Sequence, residues 1–266
     1  MPSKQSRKKN NKKTITIEKR YKQKTQHQHI LDLPDTYVGS TKVEDKHKMW
    51  VYDDQKECIV YKIISYVPAL YKIFDEIIVN ARDHTIKDKT CRVIKVNIDQ
   101  KTGEISCYND GNGKDSIPVA IHKDNGMWVP EMIFGHLLTS GNYDQIGKTT
   151  GGKNGFGAKL ANIYSKKFYI EVVDSSRGKK FTQLFTNNMY DKEKPKIKDT
   201  KKKQSYVLIK FTPDFKRFGI KGLTDDIVAL FKKRVYDIAA CTRRKIKVYL
   251  NDEYLNIKSF DKYIKM

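Results

Sequence analysis

Between Val67 and Lys87 the chain reads "VPALYKIFDEIIVNARDHTIK", and Leu70, Ile73, Phe74, Ile77, Ile78 and Ala81 recur at the 3.6-residue period of an α-helix. So continuous an apolar stripe must be buried, and the rest of the chain has to supply the surface that covers it. Glu76 and Asn80 sit beside the stripe. Four residues apart, they project from one face, about 40° from each other around the axis.

The covering surface reads as β-structure. In "RVIKVNID" and "EISCYND" the residues Ile94, Val96, Ile98, Ile105 and Cys107 alternate, and "QKTG" joins the two runs as a hairpin. Further strands are expected at "KFYIEVVD", "KKFTQLFT", "SYVLIKFTP" and "KIKVYLND", with a helix "DDIVALFKKRVYDIAAC" between the last two. A helical pattern covers about 130–138, and another opens at about Phe156. The segment "KEKPKIKDTKKKQ", 192–204, reads as a charged loop. Helices and antiparallel hairpins in blocks, without strict βαβ alternation, define an α+β fold with one sheet covered by helices on one face.

Residues 1–17, "MPSKQSRKKNNKKTITI", are basic and nearly free of core residues, and read as a disordered arm. With 53 Lys and Arg against 31 Asp and Glu the formal net charge is +22, which favours polyanionic partners such as nucleic acid or nucleotides. Cys58, Cys91, Cys107 and Cys241 are scattered, without the spacing of a zinc knuckle or a disulfide framework. There is no apolar signal core at the start and no run of membrane-spanning length, so no membrane partner is expected.

Three stretches carry chemistry. "TTGGKNGFGAKL", 149–160, holds four of the 15 glycines and feeds a helix; it suits either a phosphate cradle with Lys153 and Lys159 or a tight helix-capping loop. It lacks the GxxxxGK[ST] spacing of a P-loop. Glu76 and Asn80 suit a carboxylate that activates water beside a neutral Mg²⁺ ligand, or an exposed Glu beside a helix Asn. "NDGNG", 109–113, offers a short polar side chain to a base edge, or is a plain turn.

The order "DEIIVNA", "NDGNG", "TGGKNGFGAKL" resembles the GHKL ATP-binding family of type IIA topoisomerases, heat-shock chaperones, histidine kinases and mismatch-repair ATPases. Within it, "YKQKTQHQHIL", "PDTYVGS", "VPALYKIFDEIIVNA", "VPEMIFGHLLTSGNYD" and "TGGKNGFGAKLANIYS" are similar to the N-terminal ATPase domain of eukaryotic-type topoisomerase II. The resemblance implies a two-layer sandwich: a mixed, mostly antiparallel sheet with helices on one face. It also implies an N-terminal strap at 18–28 and the ATP-binding domain at 29–266, with the transducer and DNA-cleavage core absent.

Residue by residue, the resemblance makes Glu76 the general base, Asn80 the Mg²⁺ ligand and Asn109 the adenine-recognising residue. Ser140 and Asn142 match nucleotide contacts before the lid. Gly152, Lys153, Asn154, Gly155, Phe156, Gly157, Ala158 and Lys159 match the phosphate-binding lid, and Tyr21 the strap residue that reaches the nucleotide of the partner. The implied cofactors are ATP and Mg²⁺. The implied partners are a second copy of the chain, on ATP binding, and double-stranded DNA. The expected location is the nucleus or another DNA-containing compartment, a cytoplasmic replication site for a viral protein.

The chain departs from the family at four places. Lys114, Asp115 and Ser116 look inserted after Gly113, His84 stands where relatives often have Asn, Val207 where a Thr is usual, and Gly141 replaces a Ser. A nucleic-acid-binding module with a vestigial nucleotide site, or another GHKL ATPase such as a chaperone, are the competing readings.

Overall fold

The computed structural model describes residues 23–137, 139, 156–257 and 259–266. Helix α1 (Gln26–Asp32) is followed by a hairpin of β1 (Glu44–Asp53) and β2 (Cys58–Tyr66), then α2 (Pro68–Lys87) and the hairpin β3 (Val93–Ile98) and β4 (Ile105–Asp110). A short ladder of β5 (Ile121–His122) and β6 (Met127–Trp128) leads into α3 (Val129–Gly135). After α4 (Gly157–Ile163) come β7 (Ser165–Asp174), β8 (Lys179–Thr186), β9 (Asp191–Lys192), β10 (Lys196–Asp199) and β11 (Tyr206–Pro213). Helix α5 (Asp225–Cys241), β12 (Lys247–Leu250), β13 (Glu253–Tyr254) and α6 (Phe260–Ile264) complete the order.

The main sheet runs β10-β8-β7-β11-β4-β3-β12-β13, with β9 beside β8. Only β12 and β3 pair in parallel among the described strands, so the sheet is mixed and mostly antiparallel. Alternate strand residues, including Ile94, Val96, Cys107, Phe168, Ile170, Ile209 and Val248, point into one core with the apolar faces of α2, α4 and α5. On the opposite face polar groups meet: the Tyr169 and Tyr206 hydroxyls both donate to the Glu171 carboxylate, at 2.9 and 2.5 Å. The α+β two-layer architecture expected from the sequence is the architecture observed.

Helix α2 starts at Pro68, whose fixed φ and missing N–H suit a first helical position. Its stripe is buried as its period requires, and Phe74 is fully buried in a stacked contact with Phe231 of α5 at 4.0 Å between ring centroids. This is the centre of the helical layer. Phe74→Ala is expected to cost about 3–5 kcal/mol of stability, to be checked as a shift of the denaturant midpoint at unchanged slope.

Two segments differ from the sequence reading. The charged stretch 192–204 contains an edge strand, β10, in which Ile197 faces inward between the exposed Lys196 and Lys198. Lysines on an edge discourage pairing with another chain, and they hide the strand's pattern. The β1–β2 hairpin has no clear amphipathic signature because Trp50, Tyr61 and Ile63 are all more than half exposed. It is held down by Val51 and Ile64 against Leu230 of α5. Among the described residues no helix is long and apolar enough to cross a membrane.

Candidate active site

Asn109 lies in a cross-strand row with Ile94 and Val207, and Val207 in turn opposes Val172. Residues directly opposite one another share a face, so this amide is the polar member of a row that otherwise faces the apolar core. It is 8% exposed, and its side chain makes no hydrogen bond among the described residues. A buried amide normally has partners, so the free amide of Asn109 at a strand end has donor and acceptor capacity to offer.

Beyond Asn109 the backbone is fixed by two carboxylates with separate partners. Asp110 accepts from the backbone N–H groups of Arg92 and Val93, at 2.7 and 2.8 Å, and from the Cys91 thiol. Asp88, just past the end of α2, accepts from Thr90 N and Oγ1 and from Gly113 N, at 2.8, 2.6 and 2.8 Å. Burial opposes charge on Asp88, but the hydrogen bonds from Thr90 and Gly113 outweigh it and hold its pKa below the usual value. Ser116 donates to Gly111 O at 2.6 Å and to Asp88 Oδ2 at 3.3 Å. Gly113 and Ser116 thus close the turn onto the end of α2.

A small pocket opens between this turn, α2 and β11, with His84, Asn109, Ile117, Val173 and Val207 in its wall. Glu76, Asn80 and His84 follow one another at four-residue intervals along α2, so a polar stripe runs from the pocket toward the helix N-terminus. Each step advances about 6 Å. Glu76 is partly buried and Asn80 exposed.

At the far end of that stripe α4 begins. A Cβ on Gly157, its first residue, would overlap Glu76 Oε2, so only glycine allows this close approach to the carboxylate. The other oxygen, Oε1, is 2.5 Å from the Lys72 ammonium one turn back along α2. Lys72 therefore orients the carboxylate and leaves Oε2 facing the start of α4. Lys159 is 3% exposed and donates to the Thr139 carbonyl at 2.5 Å, and burial lowers its pKa to about 8. Phe156 and Ala158 turn their side chains toward the core.

The structure therefore brings Glu76 against Gly157 at one end of the α2 stripe, with Phe156, Ala158 and Lys159 adjoining Gly157 in the chain, Asn80 along the stripe and Asn109 at the pocket. Tyr21, Ser140, Asn142, Gly152, Lys153, Asn154 and Gly155 lie outside the described residues. Sequence reasoning did not find Lys72 or Asp88; Lys72 carries the i, i+4 spacing to Glu76, whereas the role of Asp88 depends on a turn 25 residues away. No cluster of three or more His, Cys, Asp or Glu suited to a metal occurs among the described residues.

No family model matches the chain. Its fold is that of the 43K ATPase domain of Thermus thermophilus gyrase B, with a TM-score of 0.59 at 18% identity over 86% of this chain and 50% of that one. A mostly antiparallel sheet with helices on one face, and a polar stripe on the helix beside a glycine-rich turn, define the GHKL class of ATP-binding domains. The ATPase region of Saccharomyces cerevisiae topoisomerase II superposes with a TM-score of 0.88 at 45% identity, over 92% of this chain and 64% of that one. The ATPase and transducer domains of DNA topoisomerase II from Balamuthia mandrillaris give 0.89 at 47% identity, over 94% and 64%. The chain belongs to the eukaryotic-type DNA topoisomerase II family and corresponds to its ATPase region. Among curated relatives, DNA topoisomerase 2 of Acanthamoeba polyphaga mimivirus is 57% identical over 264 residues, 96% of this chain, and that of Penicillium chrysogenum 48% identical over 258 residues, 97% of this chain. The chain spans 20% and 16% of the length of these two relatives.

Proposed function

We propose that this chain binds and hydrolyses MgATP along the α2 stripe, and that nucleotide binding pairs two copies into a gate that traps a DNA duplex for strand passage. The observation that carries the reading is the Glu76 carboxylate, with Oε1 held by Lys72 and Oε2 turned toward Gly157. An oriented, partly buried carboxylate oxygen facing a glycine-rich phosphate loop suits a general base that takes a proton from the attacking water.

The remaining roles follow the stripe. Asn109 takes the adenine at the pocket. Asn80, exposed and one turn along the helix from Glu76, offers an amide oxygen to Mg²⁺, which commonly completes its shell with water and substrate phosphates. Bound Mg²⁺ would neutralise charge on the phosphate oxygens. Ser140, Asn142 and the lid 152–159 hold the nucleotide, with Lys159 supplying a cation, and Tyr21 reaches the nucleotide of the partner. A nuclear or other DNA-containing location fits this work.

Calorimetry with Mg²⁺ and a non-hydrolysable ATP analogue tests the reading, together with sedimentation of the protein. Saturable binding accompanied by a shift from monomer to dimer is expected; no binding would contradict it. The net charge of +22 further predicts sequence-indifferent duplex binding whose affinity falls steeply as salt rises, because each neutralised phosphate releases counterions. Titrations at several salt concentrations check this, and tight binding insensitive to salt would contradict it.

A further inference from the structure

The pocket wall contains more polar residues than free polar groups. Asp110 is turned to the backbone of β3. Ser116 donates to Gly111 O and Asp88, Ser205 Oγ is engaged by Ser175, and the Tyr206 hydroxyl donates to Glu171 on the open face of the sheet. Ile117, Val173 and Val207 offer only hydrocarbon. Among the described lining residues, two side chains with polar atoms make no hydrogen bond: Asn109 and His84.

We propose that His84 is a second base-reading residue and the one that selects a 6-amino purine over a 6-oxo purine. The inference rests on the reading of this pocket as the seat of the nucleotide base. His84 Nε2 lies 3.6 Å from Asp88 Oδ2, and a Cβ on Gly111 would come within 2.6 Å of the same nitrogen, so the ring is wedged between the turn and the end of α2. A proton on Nε2 is favoured by the Asp88 carboxylate, which leaves Nδ1 with its lone pair as an acceptor. Adenine presents an amino group at C6 and guanine a carbonyl oxygen. An acceptor on the protein pairs with the first and is left facing a second acceptor by the other. Val207, with no hydroxyl, cannot share this task.

The charged groups around the ring define a pH signature. Burial lowers the His84 pKa, and adjacent Lys87 acts in the same direction; Asp88 and, from the turn and β4, Asp115 and Asp110 oppose it without reversing the net shift. The neutral acceptor form therefore dominates at pH 7, and protonation below the ordinary histidine range converts Nδ1 into a donor.

The test is calorimetric titration of the full chain with Mg²⁺ and non-hydrolysable ATP and GTP analogues at pH 7.5 and 5.5. Wild type is expected to prefer the adenine analogue at pH 7.5 and to show a weaker preference at pH 5.5, where more of His84 is protonated. His84→Phe should reduce adenine affinity about tenfold and bind the two analogues alike at both pH values. His84→Asn, whose amide offers a donor as well as an acceptor and does not titrate, should bind the adenine analogue nearly as wild type does but with a weakened preference over the guanine analogue that is independent of pH, and it stands in should the Phe variant fold poorly. Either variant matching wild type in both preference and pH response overturns the role of His84 while the nucleotide reading stands. Wild type binding neither analogue overturns both.

Discussion

Glu76→Gln should lower ATP turnover by about 10²–10⁴-fold, the usual contribution of a positioned general base, while affinity for a non-hydrolysable ATP analogue stays close to that of wild type. The amide has the shape of the carboxylate but cannot accept the water proton at the position of Oε2. The fold should survive, because what is lost is a helix-surface ion pair with the half-exposed Lys72, and such pairs contribute about 1 kcal/mol or less. Steady-state hydrolysis read beside calorimetric binding separates the two effects. Undiminished turnover in the variant would remove Glu76 from the chemistry.

Gly157→Ala should be comparably damaging to turnover, although it adds one methyl group to a residue that contributes no side chain. The new Cβ would overlap Glu76 Oε2 and fall 3.0 Å from the carboxyl carbon and 3.4 Å from Glu76 Cβ. The carboxylate has to swing away from its position against α4, and a displacement of about 1 Å at a reacting group can cost about 10²-fold in rate. Stability gives a sharper signature. In the wild-type background the carboxylate moves aside, and the loss of its contact with Lys72 should leave the substitution mildly destabilising. With Glu76→Ala the obstacle is gone, and the better helix propensity of alanine, about 1 kcal/mol over glycine, should turn the same substitution neutral or stabilising. A double-mutant cycle followed by thermal unfolding reads this reversal of sign.

The parts of the fold that were legible in the sequence are those where one periodic face is buried. The stripe of α2, the alternation of β3 and β4 and the whole of α5 meet that condition. The β1–β2 hairpin does not, since its only fully buried side chains are Val51 and Ile64, and lysines mask β10. At the site, Glu76, Asn80 and Asn109 were legible as members of ordered motifs, but their environments were not. That Asn109 faces the core follows from strand register. That Lys72 holds one oxygen of Glu76 and glycine makes room for the other requires the packing of α4 on α2. Asp88 carries only the local signature of a turn with Thr90, because the partners that make it part of the site, Gly113 and Ser116, come from a loop distant in the chain.

The central claim is that hydrolysis by this chain depends on Glu76 and on the meeting of two copies. The most direct measurement is ATP hydrolysis as a function of protein concentration, for wild type and Glu76→Ala, with nucleotide binding followed in parallel. Turnover that rises more than linearly with wild-type protein, and that vanishes in the variant while binding persists, is the predicted result. A nucleotide-free protein that still binds DNA, with no turnover at any concentration, would contradict it and identify the chain as a DNA-binding module with a vestigial nucleotide site.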